Sequence, residues 1–191
     1  MSKAWICAMM LLSGVAIAGG APPAIEAGTH WLIPDQPGQE IEVYVTGGDA
    51  VQGLEFCVRI GGGTAGPLIE NIDILNGTVF ADNNQGLYPG KYIDPRQAYL
   101  GTVTQDGTVA AAGLLAVLTL DTTGLWDGQY SLSLLDTVEG PTNFAGIAAD
   151  IADGLLIAPE PASLVLLACG AGSVILGKRR RESAPRRQGK K

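Results

Sequence analysis

The amino-acid sequence predicts an all-β fold, a single antiparallel β-sandwich over residues 28–158. Apolar and polar residues alternate with a period of two in residues 41–45 and 54–60, as expected of half-buried strands. Turns rich in glycine, proline, asparagine and aspartate separate such runs, and no stretch between them has the period of an amphipathic helix. Many short strands at this spacing are typical of sandwich and jelly-roll architectures.

The strands differ in the strength of their pattern. Residues 114–120 form a nearly continuous apolar run, and residues 130–134 alternate leucines and a tyrosine with serines. Weaker strand candidates, in chain order, are residues 30–33, 69–75, 78–81, 98–104 and 154–158. A domain of about 130 residues is long enough to bury a stabilising core. Stability has to come from that core, because Cys57 is the only cysteine of this region and cannot form a disulfide within it.

The N-terminal segment has the three parts of a secretory signal peptide. Lys3 provides the positive charge, residues 5–15 form an apolar run, and Ala16 and Ala18 bracket a small-residue cleavage site. Signal peptidase would cut after Ala18, which assigns residues 1–18 to the signal and residues 19–27 to a linker. The sequence therefore predicts export from the cytoplasm.

The C-terminal segment predicts a membrane anchor. Residues 162–177 are uncharged, and as a helix they would rise about 24 Å, a little less than the ~30 Å hydrocarbon core of a bilayer. The basic cluster that follows can snorkel to the headgroups and would remain on the cytoplasmic side. It places residues 182–191 in the cytoplasm and everything before residue 159 outside. The cluster consists of Lys178, Arg179, Arg180 and Arg181.

Residues 159–181 follow a recognisable order. Pro159, Glu160 and Pro161 precede the uncharged segment, and the basic cluster ends it. This arrangement resembles the PEP-CTERM sorting signal of bacterial proteins. The resemblance implies that a membrane-embedded exosortase recognises the tripeptide, cuts near it and releases or transfers the preceding domain. The alternative is an ordinary single-pass anchor that a Pro-Glu-Pro sequence happens to precede.

Charge is distributed unevenly along the chain. Between the two terminal segments, residues 19–158 carry 17 acidic residues against Arg59, Lys91 and Arg96, a formal net charge of −14. Such a surface repels nucleic acid and keeps a protein soluble, so we predict no nucleic-acid partner. The basic tail follows directly on the apolar segment, which favours a stop-transfer role over a nucleic-acid patch.

The predicted sandwich also resembles cohesin modules. The resemblance rests on residues 38–45 and 51–56 as opening strands, residues 112–120 and 128–132 as later strands, and residues 153–157 as the closing strand. It implies a cohesin-like sandwich, a fold that holds dockerin partners or serves as a surface module. Function does not follow from fold alone, because it depends on particular sites.

Catalytic and metal-binding motifs are missing from the sequence. His30 is the only histidine, and no nucleophile motif accompanies it. One cysteine and one histidine are too few for a typical zinc site, and the acidic residues show no calcium-loop spacing. We therefore predict no cofactor and no enzymatic activity, and we assign no residue as a metal ligand.

Aromatic residues are the remaining candidates for ligand contact. Trp31, Trp126 and Tyr92 are suited to stacking on sugar rings, although packing in or around the core is the more common role of such side chains. Tyr88 and Tyr99 belong to the same aromatic set. The sequence predicts an exported, non-enzymatic protein of the cell surface or extracellular matrix that binds polysaccharide or a protein partner. The alternative is a small secreted polysaccharide-active hydrolase or accessory module.

Overall fold

The structure is a computed structural model that describes residues 21–134, 142–145 and 147–160, with only the backbone for residues 89–92. Its described part is all-β, and its one helical element is a short 3₁₀ turn at Gly61–Gly63. No helix within these residues is long and apolar enough to cross a membrane. The strands are β1 (Ala24–Glu26), β2 (Thr29–Trp31), β3 (Gln39–Thr46), β4 (Gly53–Ile60), β5 (Leu68–Asp73), β6 (Leu87–Asp94), β7 (Gln97–Val103), β8 (Gly113–Asp121), β9 (Gly128–Ser133), β10 (Asn143–Phe144), β11 (Asp150–Ala152) and β12 (Gly154–Ala158).

Two sheets make up the sandwich. The smaller sheet has the strand order β11-β1-β3-β8-β5, and the larger has the order β2-β12-β9-β4-β7-β6, with β10 pairing with β4. Most pairs are antiparallel, as the sequence predicts, but β1 pairs with β11 and β2 with β12 in parallel. These parallel pairs arise because the N-terminal chain passes from one sheet to the other at Gly28, whose φ is 72°. It thereby lies beside both of the last two strands.

The predicted alternation is confirmed at the residue level. In β3, Ile41, Val43 and Val45 are buried while the residues between them are exposed. In β4, the even-numbered residues from Leu54 to Ile60 point into the core between the sheets. The largest fully buried side chains come from strands of both sheets and from the connecting segments, and they include Phe56, Phe80, Phe144, Ile25, Leu100 and Leu118.

The strand predicted at residues 78–81 is wrong, because these residues form turns. The carboxylate of Asp73 accepts hydrogen bonds from the backbone N–H groups of Leu75 and Asn76, at 2.8 and 2.9 Å, and starts the turn. The hydroxyl of Thr78 then donates to the carbonyl of Ile74 at 2.7 Å. Local side-chain bonds of this kind compete with strand pairing.

Four segments form strands that the sequence pattern does not predict, namely β1, β6, the two-residue β10 and β11. Strand β6 contains Pro89 and Gly90, which interrupt its strand pattern, yet it pairs with β7 around a register shift between Leu87 and Lys91. Strand β1 lies within residues 19–27, the predicted linker, so the sandwich includes residues before the predicted boundary at residue 28. Proline and glycine are tolerated in β6 because it is an edge strand.

Candidate functional site

The outer face of the larger sheet is built from alternate residues of β4 and β7. Glu55, Cys57 and Arg59 point away from the core, because their neighbours in β4 point into it. Opposite Glu55 and Cys57 lie Gly101 and Tyr99 of β7. The face therefore presents the exposed Glu55 and the partly buried Arg59 and Tyr99, whereas Cys57 is buried.

A groove lies at one end of this face, beside Glu55. Its volume is about 260 Å³. The buried side chains of Leu54 and Phe144 contribute apolar surface to it, whereas Tyr88 is 70% exposed at its edge. Such an exposed aromatic ring beside an apolar recess is a common feature of binding surfaces. The lining residues are Leu54, Glu55, Tyr88, Gly101, Thr102, Val103, Asn143, Phe144 and Ala145.

Gly101 allows the edge strand to approach the floor of the groove. A Cβ atom at this position would lie 2.6 Å from the carbonyl oxygen of Tyr88 and 2.9 Å from that of Leu54. Both neighbours are backbone atoms, so any larger residue would push β6 or β4 aside. The position of Tyr88 thus depends on the missing side chain of Gly101.

The opposite wall of the groove, residues 143–145, is fixed by the neighbouring Thr142. Its buried hydroxyl accepts a hydrogen bond from the N–H of Cys57 at 2.9 Å and donates one to the carbonyl of Cys57 at 2.7 Å. Ala145 N–H also donates to the carbonyl of Gly53 at 3.1 Å. These bonds hold the short strand β10 against β4, so the wall is preformed rather than assembled on binding.

The described lining residues of the groove include few groups that could transfer a proton. Among its described lining residues, Glu55 is the single ionisable carboxylate and Asn143 supplies an amide, with no lysine, arginine or histidine. Elsewhere, a hydrogen bond to Glu42 raises the pKa of Tyr44, and hydrogen bonds from Thr123 lower the pKa of Asp121. Both shifts move these groups away from neutral pH, so neither prepares its group for proton transfer there.

Metal-ligand chemistry is similarly sparse. Within the described residues, no group of three or more histidine, cysteine, aspartate or glutamate side chains is placed to hold a metal ion. His30 lies half-buried in β2, and its Nε2–H donates to the carbonyl of Ala27 at 2.6 Å. This bond gives His30 a structural role at the crossing between the sheets.

The aromatic residues predicted from the sequence are not brought together at the groove. Trp31 and Trp126 are 70% and 58% exposed, so neither side chain is packed in the core. Trp31 lies on β2 and Trp126 lies just before β9, and both are near the end of β12. Glu55 is near the start of β4, at the opposite end of the sheet. Tyr92 belongs to β6, where its backbone is opposite Tyr99.

Glu55 and Asn143 are groove residues that the sequence pattern does not single out. Tyr88 belongs to the predicted aromatic set, but Pro89 and Gly90 hide the strand that places it at the groove. The groove joins segments around residues 54, 88, 101 and 144, and no linear spacing connects them.

The predicted sorting residues lie at the end of the described chain. Strand β12 ends at Ala158, Pro159 is half-buried and Glu160 is exposed. Pro161, the apolar segment and the basic cluster at residues 178–181 lie outside the described residues. So do Ala16 and Ala18 of the predicted signal cleavage site.

The sequence matches no protein-family model and no curated protein. Solved structures do resemble the chain. A non-cellulosomal cohesin from the archaeon Archaeoglobus fulgidus is 15% identical, with 72% of this chain and 91% of that chain covered and a TM-score of 0.51. The sixth cohesin of scaffoldin B from Acetivibrio cellulolyticus, solved in complex with a Cel5 dockerin mutant, is 13% identical, with coverages of 73% and 100% and a TM-score of 0.51.

A type III cohesin module from a cell-surface anchoring scaffoldin of Ruminococcus flavefaciens is 10% identical. It covers 73% of this chain and 88% of its own, with a TM-score of 0.50. Identity at this level shows likeness of fold alone. The described residues form a cohesin-like β-sandwich.

Proposed function

We propose that this protein is an exported, non-enzymatic component of the cell surface or extracellular matrix whose sandwich binds a protein partner at the groove beside Tyr88. The observation that carries this proposal is an exposed aromatic ring next to a preformed apolar recess on a cohesin-like fold. The similar cohesin from Acetivibrio cellulolyticus is described in complex with a dockerin, a protein partner. Glu55 would favour a partner that presents a positive charge beside an apolar residue.

Export and sorting form the second part of the proposal. A signal peptidase would remove residues 1–18, and an exosortase-type protease would act on Pro159, Glu160 and Pro161 while residues 162–177 hold the precursor in the inner membrane. The end of β12 at Ala158 supports this, because the tripeptide then begins outside the sheet and Glu160 is exposed. A protease needs such an accessible segment.

Polysaccharide is the second candidate ligand of the groove. An exposed tyrosine flanked by a carboxylate and an amide also suits a sugar ring, which stacks on the aromatic face and accepts and donates hydrogen bonds. Hydrolysis would require two carboxylates about 5–10 Å apart. Glu55 is the single carboxylate among the described lining residues, so an accessory binding role is favoured over a hydrolase.

Tyr88→Ala tests the proposed protein contact. We expect the variant to lose affinity by at least about 30-fold for whichever envelope protein the wild type binds, the cost of a central hot-spot aromatic of ~2 kcal/mol. Binding is measured by titrating the purified partner, identified by cross-linking in the native host, against wild-type and variant proteins. The matched control is Tyr44→Ala, an exposed tyrosine on the smaller sheet.

Equal affinity of Tyr88→Ala and wild type would contradict the groove as the binding site. Native gels that contain the host's extracellular polysaccharide test whether the ligand is a polysaccharide instead of a protein. Retardation that Tyr88→Ala abolishes would identify a glycan ligand in the groove. Retardation lost instead in Trp31→Ala or Trp126→Ala would place the glycan at the other end of the sheet.

A further inference from the structure

Three exposed apolar side chains lie at the end of the sandwich where the described chain stops. Trp31, Ile33 and Trp126 are 70%, 55% and 58% exposed. We call these three residues the tryptophan patch. Large apolar side chains this exposed, and this close together along the fold, are unusual unless a surface covers them.

Backbone pairing places the tryptophan patch around the end of β12. Trp31 is opposite Ile157 in the parallel pair of β2 and β12, and Gly128 is opposite Ala158 in the antiparallel pair of β9 and β12. The residues that continue these strands, Ile33 on one side and Trp126 on the other, therefore flank the chain as it leaves the sheet. The N–H of Asp35 donates to the carbonyl of Leu125 at 2.9 Å, which ties the two flanking loops together.

The exit point is close to the predicted membrane segment. Only residues 159–161 separate Ala158 from residue 162, where the uncharged run begins. An extended chain covers at most about 3.6 Å per residue, so Ala158 lies within roughly 14 Å of the start of that run. The headgroup region on one side of a bilayer is itself about 5–8 Å thick. A membrane-inserted precursor must hold this end of the sandwich at the headgroups.

We infer that, in the precursor, the tryptophan patch docks on the headgroup interface of a zwitterionic phospholipid bilayer and sets the sandwich end-on to the membrane. This inference rests on the proposed membrane-anchored precursor. Tryptophan is enriched at that interface because its ring is apolar and its N–H is polar. The segments beside the patch, residues 29–38, 121–128 and 156–160, carry Asp35, Asp121, Asp127 and Glu160 and contain no lysine or arginine. Glu70, which accepts from the N–H of Gly38, and Arg96, whose Nε donates to the carbonyl of Gly66, lie at the same end of the sandwich, so acidic groups outnumber basic ones there.

End-on docking leaves the groove free. Strand β9 begins at the tryptophan patch with Gly128 and ends at Ser133, where Arg59 of β4 is its partner. Because β4 is antiparallel to β9, its first residues, Gly53 to Glu55, lie at the opposite end of the sheet. The groove beside Tyr88 would then face away from the bilayer, toward partners outside the cell.

Intrinsic fluorescence tests the inference on the full chain, because its three tryptophans are Trp5, Trp31 and Trp126. The Trp5→Phe chain, which leaves only the patch tryptophans, is reconstituted into phosphatidylcholine vesicles. Vesicles of the same lipid brominated near the headgroup serve for comparison. We expect a blue-shifted emission and loss of most of the fluorescence in the brominated vesicles. We also expect weaker quenching when anionic phosphatidylglycerol is added, because the end carries acidic groups.

A reporter at the groove provides the control. Tyr88→Trp in a chain with all three natural tryptophans changed to phenylalanine should keep a water-exposed emission and escape quenching. A chain that floats with the vesicles while Trp31 and Trp126 stay unquenched, or a Tyr88→Trp reporter quenched equally, would overturn the docking inference alone. A chain that fails to float with the vesicles would overturn the anchored precursor and, with it, the docking.

Discussion

Thr142→Val is expected to lower the free energy of unfolding by about 2 kcal/mol or more, because it removes two hydrogen bonds from the buried backbone of Cys57. Valine keeps the shape of threonine but neither accepts from the N–H nor donates to the carbonyl. The loss of two buried hydrogen bonds, at about 1 kcal/mol each, accounts for a change of this size. Equilibrium unfolding in urea measures the loss. The urea concentration at the midpoint should fall, while the slope of the unfolding free energy against urea concentration should stay the same.

The same substitution should loosen the wall of the groove. Thr142 precedes the residues of β10 that line it, so the variant should also bind the groove's partner more weakly and exchange the Cys57 amide hydrogen faster. Thr46→Val is the matched control, because Thr46 is exposed at the end of β3. Its stability should stay within about 0.5 kcal/mol of wild type. A Thr142→Val protein as stable as this control would contradict the assigned role of the hydroxyl.

Phe56→Ala is expected to destabilise the sandwich by about 3–5 kcal/mol, the usual cost of truncating a fully buried phenylalanine. Phe56 has no exposed surface, and its partner across β7, Leu100, has none either. Both belong to the core between the sheets, which has to supply the stability of a domain that a disulfide does not reinforce. A loss of this size is a large part of the total of about 5–15 kcal/mol for a typical domain.

The adjacent residue offers a direct comparison for Phe56→Ala. Glu55 is exposed on the opposite face of the same strand, so Glu55→Ala should change stability by no more than about 0.5 kcal/mol. It should instead weaken binding at the groove. If the two substitutions destabilise the protein equally, the assignment of the inner and outer faces of β4 is wrong.

The central strands could be predicted because each buries one face. Strands β3, β4 and β9 repeat apolar residues at every second position, and this period can be read directly from the sequence. Strand β8 is recognisable as an apolar run between the two neighbours that cover its edges, β3 and β5. Where every second residue of a strand is buried, the sequence alone is enough to predict that strand.

The edges and the groove could not be predicted in the same way. Strand β6 contains Pro89 and Gly90, which an edge strand tolerates but which disguise its pattern. Strand β10 has only two residues, and its place is decided by Thr142 and the backbone of β4. The groove depends on these two elements, so its residues become neighbours only through tertiary pairing.

The positions of the predicted aromatic residues also depend on tertiary pairing. Trp31 and Trp126 are 95 positions apart in the sequence, and only the pairing of β12 with β2 and β9 brings them to one end of the sheet. Composition identified them as unusual residues, but their exposure depends on which face each strand presents. The registers that decide this are set by contacts distant in sequence.

The intact mass of the mature protein from its native host, beside that of a Glu160→Ala variant, tests whether the sandwich is exported and cut at the Pro-Glu-Pro sequence. We predict a wild-type form that begins near Gly19 and ends near Pro159, and an uncut C-terminus in the variant. That result would show export and processing at the end of β12, with the sandwich delivered outside the membrane. A chain that retains Lys191 in the membrane fraction of both proteins would contradict the sorting mechanism and leave an ordinary anchored ectodomain.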